Sequence, residues 1–203
     1  MNSIDKEHIL QAALSVFAEH GFRGTSVKSI AKIVNIDDSL VYYHFKTKIN
    51  LWNQAMFLMS EKYHQEASQI IKLNKDLSNI NLGKSLTRHM VYFVAENPAL
   101  YQIIMHEMTQ NTDRSDWLAE NMLKPFSDRL EKVLEDYSQS GYQLKMPIAN
   151  YFSLNIGIIW TFFIMDKINK KLYNVDVFQK EEIERHADMV IELIYSSITK
   201  SQS

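Results

Sequence analysis

The sequence has no cysteine, three prolines and five glycines among its 203 residues. Without cysteine there can be no disulfide scaffold and no cysteine-ligated zinc or iron–sulfur centre, and the lack suits a reducing, cytoplasmic setting. A β-rich fold of this length needs many tight turns, and tight turns need glycine and proline, so their scarcity points to an all-α fold. Long apolar runs are also missing. The most apolar stretch, Tyr151 to Met165, is interrupted by Ser153, Asn155, Gly157 and Thr161. It is shorter than the roughly 20 residues that a bilayer requires. Met1 to Glu7 lack the basic-then-apolar order of a secretory signal, so no membrane association is expected.

Motifs of catalysis are absent as well. There is no Gly-rich phosphate loop, no Gly-x-Ser-x-Gly elbow and no His-Glu-x-x-His, and His106-Glu107 lacks the second histidine. His89 and His186 have no carboxylates at a repeating metal-ligand spacing. No catalytic residue, cofactor or metal is expected. A helical enzyme and a plain helical interaction protein are the competing classes, and a gel shift on DNA fragments separates them from a DNA binder.

Hydrophobic residues make up 46% and charged residues 23%, which is ordinary for a packed globular chain. The net charge of −2 is unevenly spread. Between His20 and Asn50, Arg23, Lys28, Lys32, Lys46 and Lys48 outnumber Asp37 and Asp38, giving +3 there and −5 elsewhere. A basic segment on an acidic body is the footprint of a DNA-reading head.

Apolar residues recur at helical spacing nearly throughout. A first helix fits Ile4–His20, with Ile9, Ala13, Val16 and Phe17 on one stripe and Gly21 as its stop. Thr25 or Ser26 can cap a short helix to Val34, and another spans Asp38 to His44. Longer helices fit Lys48–Leu73, Leu82–Glu96, Pro98–Gln110, Trp117–Gln139, Pro147–Leu172 and Glu181–Lys200. The two short helices are stable only when packed. Val27, Ile30, Ala31 and Val34 face inward on one, Val41 and Phe45 anchor the other, and Ile36 fills the turn. Asn35 stands where a left-handed backbone is needed, which asparagine tolerates better than any residue but glycine. Ser39, Leu40, Tyr43 and His44 remain outward, as a recognition helix requires.

The register Phe17-x3-Gly21-Phe22-x2-Thr25-Ser26-Val27-x2-Ile30-Ala31, then Ser39-x2-Tyr42-Tyr43-His44-Phe45-x2-Lys48-x2-Leu51, resembles the signature of the TetR family of one-component regulators. The resemblance covers about the first 50 residues; beyond them only length and helical layout agree. It implies a three-helix helix-turn-helix head, residues 1–47, on a larger ligand-binding and dimerisation body, residues 48–203. It also implies that Thr25 and Ser26 contact phosphate and that Lys28 reaches a base edge or phosphate. Ser39, Leu40, Tyr43 and His44 would face the major groove, and Tyr42 and Lys48 would hold the DNA backbone. Asp38 departs from the family pattern; it either accepts from a cytosine amino group or, the preferred reading, caps the recognition helix.

Residues from Leu82 onward are rich in methionine and aromatics. By themselves such residues are core more often than ligand box, but the resemblance implies a cavity among them. Phe93, Met105, Met108, Met122, Phe126, Phe152 and Trp160 are the expected lining, with Asn155, His89, His106 and Thr161 as polar candidates. The 147–172 segment is apolar around most of its circumference, and Ile183, Ala187, Val190, Ile194 and Ile198 form a stripe on the last helix. Together they are expected to build an isologous homodimer interface, with Gly157 permitting close helix approach. The expected function is a ligand-responsive regulator, a repressor, which binds a palindromic double-stranded operator as a homodimer. A small apolar or amphipathic effector would release it by tilting the Lys48–Leu73 helix.

Overall fold

The computed structural model describes residues 6–201. In chain order the helices are α1 (Lys6–Gly24), α2 (Val27–Ile33), α3 (Asp38–Phe45), α4 (Lys48–Leu73), α5 (Asn79–Glu96), α6 (Pro98–Met108) and α7 (Asp113–Leu118). A π-helical turn at Ala119–Leu123 leads into α8 (Lys124–Gln139), followed by β1 (Tyr142–Leu144), α9 (Ile148–Ile164), α10 (Asp166–Tyr173), α11 (Lys180–Ser196) and β2 (Ile198–Lys200). The fold is all-α, an N-terminal helix-turn-helix followed by a larger helical body. No single helix among the described residues is long and apolar enough to cross a membrane.

Packing divides the described residues into two compact units, one of 6–64 with 99–118, the other of 65–98 with 119–201. The division cuts α4 at His64. It also joins α6 and α7 to the helix-turn-helix, whereas the functional division expected from sequence fell at residue 47.

In the first unit, α1 is broken by Gly21, whose φ of 67° ends the helix where the sequence places its stop. The expected stripe of Ile9, Ala13, Val16 and Phe17 is buried, as are Val27, Ile30 and Ala31 of α2 and Val41 and Phe45 of α3. Removing a side chain such as Ile30 or Phe45 from water contributes about 2–3 kcal/mol each. That burial holds together helices of seven and eight residues. The turn between them closes as a Schellman motif: Ile36 N donates to Ala31 O at 3.0 Å and Asn35 N to Lys32 O at 3.3 Å. Asn35 has φ 55°, the left-handed geometry expected of it.

In the second unit, α5 packs against α11, α9 and α8. Val91, Phe93, Val94, Ile156, Ile159, Trp160, Phe163, Ala187, Val190 and Ile194 are buried. Three expected helices prove discontinuous. The 117–139 helix starts earlier, at Asp113, and widens into the π turn just ahead of Pro125, whose ring and missing N–H cannot continue an α-helix. The 147–172 helix breaks at Met165 and bends by 66° where the apolar sequence gives way to Asp166 and Lys167. Asn169 Nδ2 takes up the Phe162 carbonyl at the break, at 3.1 Å. The last helix ends at Ser196, and Ile198–Lys200 instead pairs antiparallel with Tyr142–Leu144, Leu144 opposite Ile198. Within the single chain a β-carbon on Gly83 would meet the hydroxyls of Tyr137 and Tyr195, while one on Gly157 meets nothing within 4 Å and leaves that position open.

Candidate nucleic-acid interface

Burying Val41 and Phe45, one turn apart, leaves the opposite face of α3 to solvent. Ser39 is exposed, Leu40 is 37% exposed, Tyr42 48% and Tyr43 69%, while Asp38 and His44 are half-buried. Large apolar and aromatic side chains held out in this way on a short, well-anchored helix have the form of a reading surface. The Tyr43 and His44 rings meet edge to face at 5.2 Å. Lys46, in the left-handed position that ends α3 (φ 64°), sets its ammonium 5.1 Å from the Tyr43 ring centroid. Sequence reasoning did not single out Lys46, because nothing in a lysine announces a positive φ.

The start of α3 is capped by Asp37, not Asp38: Asp37 Oδ1 accepts from Ser39 N at 2.9 Å. The Ser39 hydroxyl, and secondarily its amide, hold the Asp37 carboxyl below its ordinary value. Asp38 is the first residue inside the helix, where an N-capping side chain has no donor within reach.

At the start of α2 the cap is Ser26. Its hydroxyl accepts from Ser29 N at 3.0 Å, and Ser29 Oγ accepts from Ser26 N at 3.2 Å. Ser26 and Lys28 are exposed. Thr25 is placed otherwise than expected. It is 3% exposed and its hydroxyl donates to Gly21 O at 2.8 Å, so its side chain fixes the α1–α2 path rather than presenting itself to phosphate.

Lys48 is placed otherwise as well. Its ammonium donates to Phe22 O at 2.8 Å and Thr25 O at 2.9 Å, and lies 4.4 Å from the centroid of the Phe22 ring. Two of its three N–H groups therefore serve the backbone of the head. Burial, and then the Arg114 charge, push the Lys48 ammonium below its ordinary value.

The expected effector-lining residues fall into both units. Met105 is half-buried and Met108 is 41% exposed on α6 in the first unit, so Met108 does not belong to a closed apolar wall there. In the second unit Phe93 and Trp160 are buried, and Met122, Phe126 and Phe152 are half-buried. Phe126 and Phe152 come together, their centroids 5.9 Å apart. Asn155 is buried but turned to its own helix, Nδ2 donating to Tyr151 O at 2.7 Å. His89 lies 3.4 Å from Glu66. A polar feature that sequence reasoning missed is the pair Tyr137 and Tyr195 beside Gly83, with Tyr151 interacting with both. Burial raises all three phenols above their ordinary values, Tyr151 the more modestly of the two with the largest shifts. Three tyrosines 14 and 44 residues apart carry no shared period that would announce the cluster.

The expected dimer stripe is also differently used. Ala187, Val190 and Ile194 are buried within the second unit itself, and Ile198 lies in β2. The apolar side chains that α11 leaves outward are Met189, 46% exposed, and Leu193, 47% exposed.

Two family models match the chain, one over the helix-turn-helix and one over most of the body. The family model described as "Bacterial regulatory proteins, tetR family" matches residues 9–55. The model of the C-terminal domain of the HTH-type transcriptional dual regulator CecR matches residues 81–199, more than half of the chain. The negative transcriptional regulator IcaR of the Staphylococcus aureus biofilm operon icaADBC is 27% identical over 147 residues, 72% of this chain and 69% of IcaR. A putative fatty acid metabolism regulator of Clostridium perfringens superposes with a TM-score of 0.77 at 22% identity, covering 95% of this chain and 98% of that one. FadR of Bacillus subtilis, solved in complex with stearoyl-CoA, gives 0.71 at 21% identity, covering 95% and 99%. The chain belongs to the TetR family of bacterial regulatory proteins, and is a DNA-binding transcriptional regulator with a CecR-type C-terminal domain.

Proposed function

We propose that this regulator is a repressor that binds a palindromic double-stranded operator as a homodimer and is released by a small amphipathic effector. The observation that carries the DNA reading is the outward face of α3, with Ser39, Leu40 and Tyr43 exposed over the buried Val41 and Phe45. Ser39, Leu40, Tyr43 and His44 read base edges. Ser26, Lys28, Tyr42 and Lys46 contact phosphate, taking over the role expected of the Thr25 and Lys48 side chains. Asp38 sits at the groove-facing start of α3, where it favours an amino group over an acceptor.

The homodimer forms through the 147–172 and 181–200 segments. Met189 and Leu193 on α11 and Met165 at the end of α9 supply its apolar contacts, each more than 40% exposed in the single chain. Binding two half-sites of a palindrome one turn of DNA apart requires the two α3 helices of such an isologous dimer to stand about 34–36 Å apart.

The effector is held by Phe93, Met122, Phe126, Phe152 and Trp160 of the second unit, with Asn155 beside them. The B. subtilis neighbour holds an amphipathic thioester, and that supports the choice of an amphipathic ligand over a purely apolar one. Because α4 runs without a break from one unit into the other, a change at its C-terminal end is carried to its N-terminal end, immediately after α3. Near-complete release requires about 5.5 kcal/mol of differential affinity between the two states.

The test is selection from a random duplex pool by the full-length protein, followed by sedimentation of the selected complex. A two-fold symmetric sequence bound by two chains, and released as dimers by stearoyl-CoA, supports the proposal. An asymmetric sequence, one chain per duplex, or release as monomers overturns it.

A further inference from the structure

Arg114 lies about 70 residues beyond the recognition helix, yet it touches the head. Its guanidinium is 4.4 Å from the centroid of Phe22, the ring that the Lys48 ammonium also approaches to 4.4 Å. Two cations on one aromatic ring repel each other, so the arrangement needs an anion and fixed acceptors. Glu107, 2% exposed, supplies the anion: its carboxylate accepts from Arg114 Nε at 2.9 Å and from the Thr112 hydroxyl at 3.3 Å. The Phe22 and Thr25 carbonyls supply the acceptors for Lys48. A charge buried to this degree is retained only where it is paired and hydrogen-bonded, and Glu107 is both.

What these groups hold is the stretch from Gly21 to Ser26, the path from α1 into the capped start of α2. Its backbone is unusual at Gly21, it carries few apolar anchors besides the Phe22 ring stacked 5.8 Å from Phe17, and two of its carbonyls depend on Lys48. α7 is fixed at a second point by Trp117, whose ring lies 5.4 Å from Trp52 and 4.8 Å from Phe57 of α4. The corner between α6 and α7 thus grips both the entrance to α2 and the first turns of α4.

We infer that Arg114 is a positioning residue for DNA binding: held by Glu107, it clamps Phe22 and through it the Lys48-tied segment that orients the Ser26-capped start of α2. The clasp makes α6–α7 a second route, besides α4, by which a change outside the head alters its grip on DNA. Arg114 itself touches no DNA. The inference rests on the DNA-binding reading of α2 and α3, and its test separates the two.

Full-length wild type, Arg114→Met and Arg114→Lys are compared by hydrogen exchange without DNA. They are then compared by fluorescence anisotropy on the duplex that the wild type enriches from a random pool. Arg114→Met is expected to speed exchange by about tenfold at amides 22–34, with α9 and α11 unchanged. It should weaken binding by about three- to thirtyfold, the range of a cation–π contact, with the salt slope preserved because no phosphate contact is lost. Arg114→Lys, which keeps a cation at the ring, should recover at least half of that loss on a logarithmic scale. Unchanged exchange at 22–34, a uniform rise in all helices, or a salt slope reduced by about one unit would overturn the clasp. Failure of the wild type to enrich any sequence would overturn the DNA-binding reading, and the exchange data would still decide the clasp.

Discussion

A β-carbon on Gly83 would collide with the hydroxyl oxygen of Tyr137, a residue only 3% exposed. Here the Tyr137 ring reaches from α8 to the backbone of α5, and the space a methyl would need is taken by its hydroxyl. Gly83→Ala should therefore destabilise the chain by about 1–3 kcal/mol, read as a lower midpoint in urea unfolding. Tyr137→Phe in the Gly83→Ala background removes the clashing oxygen and should recover part of the loss. The Tyr195 hydroxyl, 2.5 Å from the same point, accounts for the remainder. If the double variant is no more stable than Gly83→Ala, the contact is not the cause.

His186 gives the chain a pH dependence. Its ring is 4% exposed, stacks on Phe162 at 4.3 Å and meets Phe163 edge-on at 5.4 Å. Burial pushes its imidazole below the ordinary value of 6.5, against a smaller opposing effect of the Ile159 and Ile158 backbone. Between the depressed folded value and 6.5 the unfolded chain binds more protons, so stability rises with pH across that window and is lost as pH falls below 6.5. His89, depressed chiefly by burial and partly restored by Glu66 and Glu96, acts in the same direction. His186→Phe should flatten the stability-versus-pH curve between pH 7 and 5, by at most one proton's slope, about 1.4 kcal/mol per pH unit. An unchanged curve would assign the dependence elsewhere.

The head was legible in the sequence because its constraints are local. Gly21, Asn35, Val41 and Phe45 each sit where a backbone angle or an inward face demands that residue type, and each adopts the expected role. Side-chain direction was less legible. Thr25 and Lys48 lie beside the expected DNA face by position, yet both turn to backbone carbonyls that sequence spacing does not reveal. In the body, a continuous apolar pattern hid the break at Met165, and Pro125 was absorbed into a longer helix although it marks the start of α8. Apolar periodicity likewise could not say whether Ala187, Val190 and Ile194 face α5 or a second copy, since both surfaces are apolar.

Asn35 tests the turn of the helix-turn-helix. At φ 55° a β-carbon is strained and the asparagine amide compensates only in part. Asn35→Ala should lower stability by about 1 kcal/mol, whereas Asn35→Gly should stay within about 0.5 kcal/mol of wild type. Thermal unfolding of the three proteins decides it, and equal effects of the two variants would contradict the strained-turn account.

Lys48 separates a structural tie from a phosphate contact. Removing its bonds to Phe22 O and Thr25 O leaves two carbonyls without their donor. Lys48→Met should thus cost about 1–3 kcal/mol of stability, while the salt dependence of DNA binding keeps its slope. Wild-type stability together with a slope reduced by about one unit would make Lys48 a phosphate contact instead.

Tyr43, 69% exposed, is the most prominent side chain on the outward face of α3, the face proposed to read sequence. The most direct measurement is the binding of wild type and Tyr43→Ala to the wild-type operator and to every single-base-pair variant of it. Tyr43→Ala should weaken binding to the operator by about 1–3 kcal/mol and erase discrimination at one or two positions in each half-site, with the remaining positions and the salt slope unchanged. A loss spread evenly over all positions, or a discrimination profile identical to wild type, would contradict it.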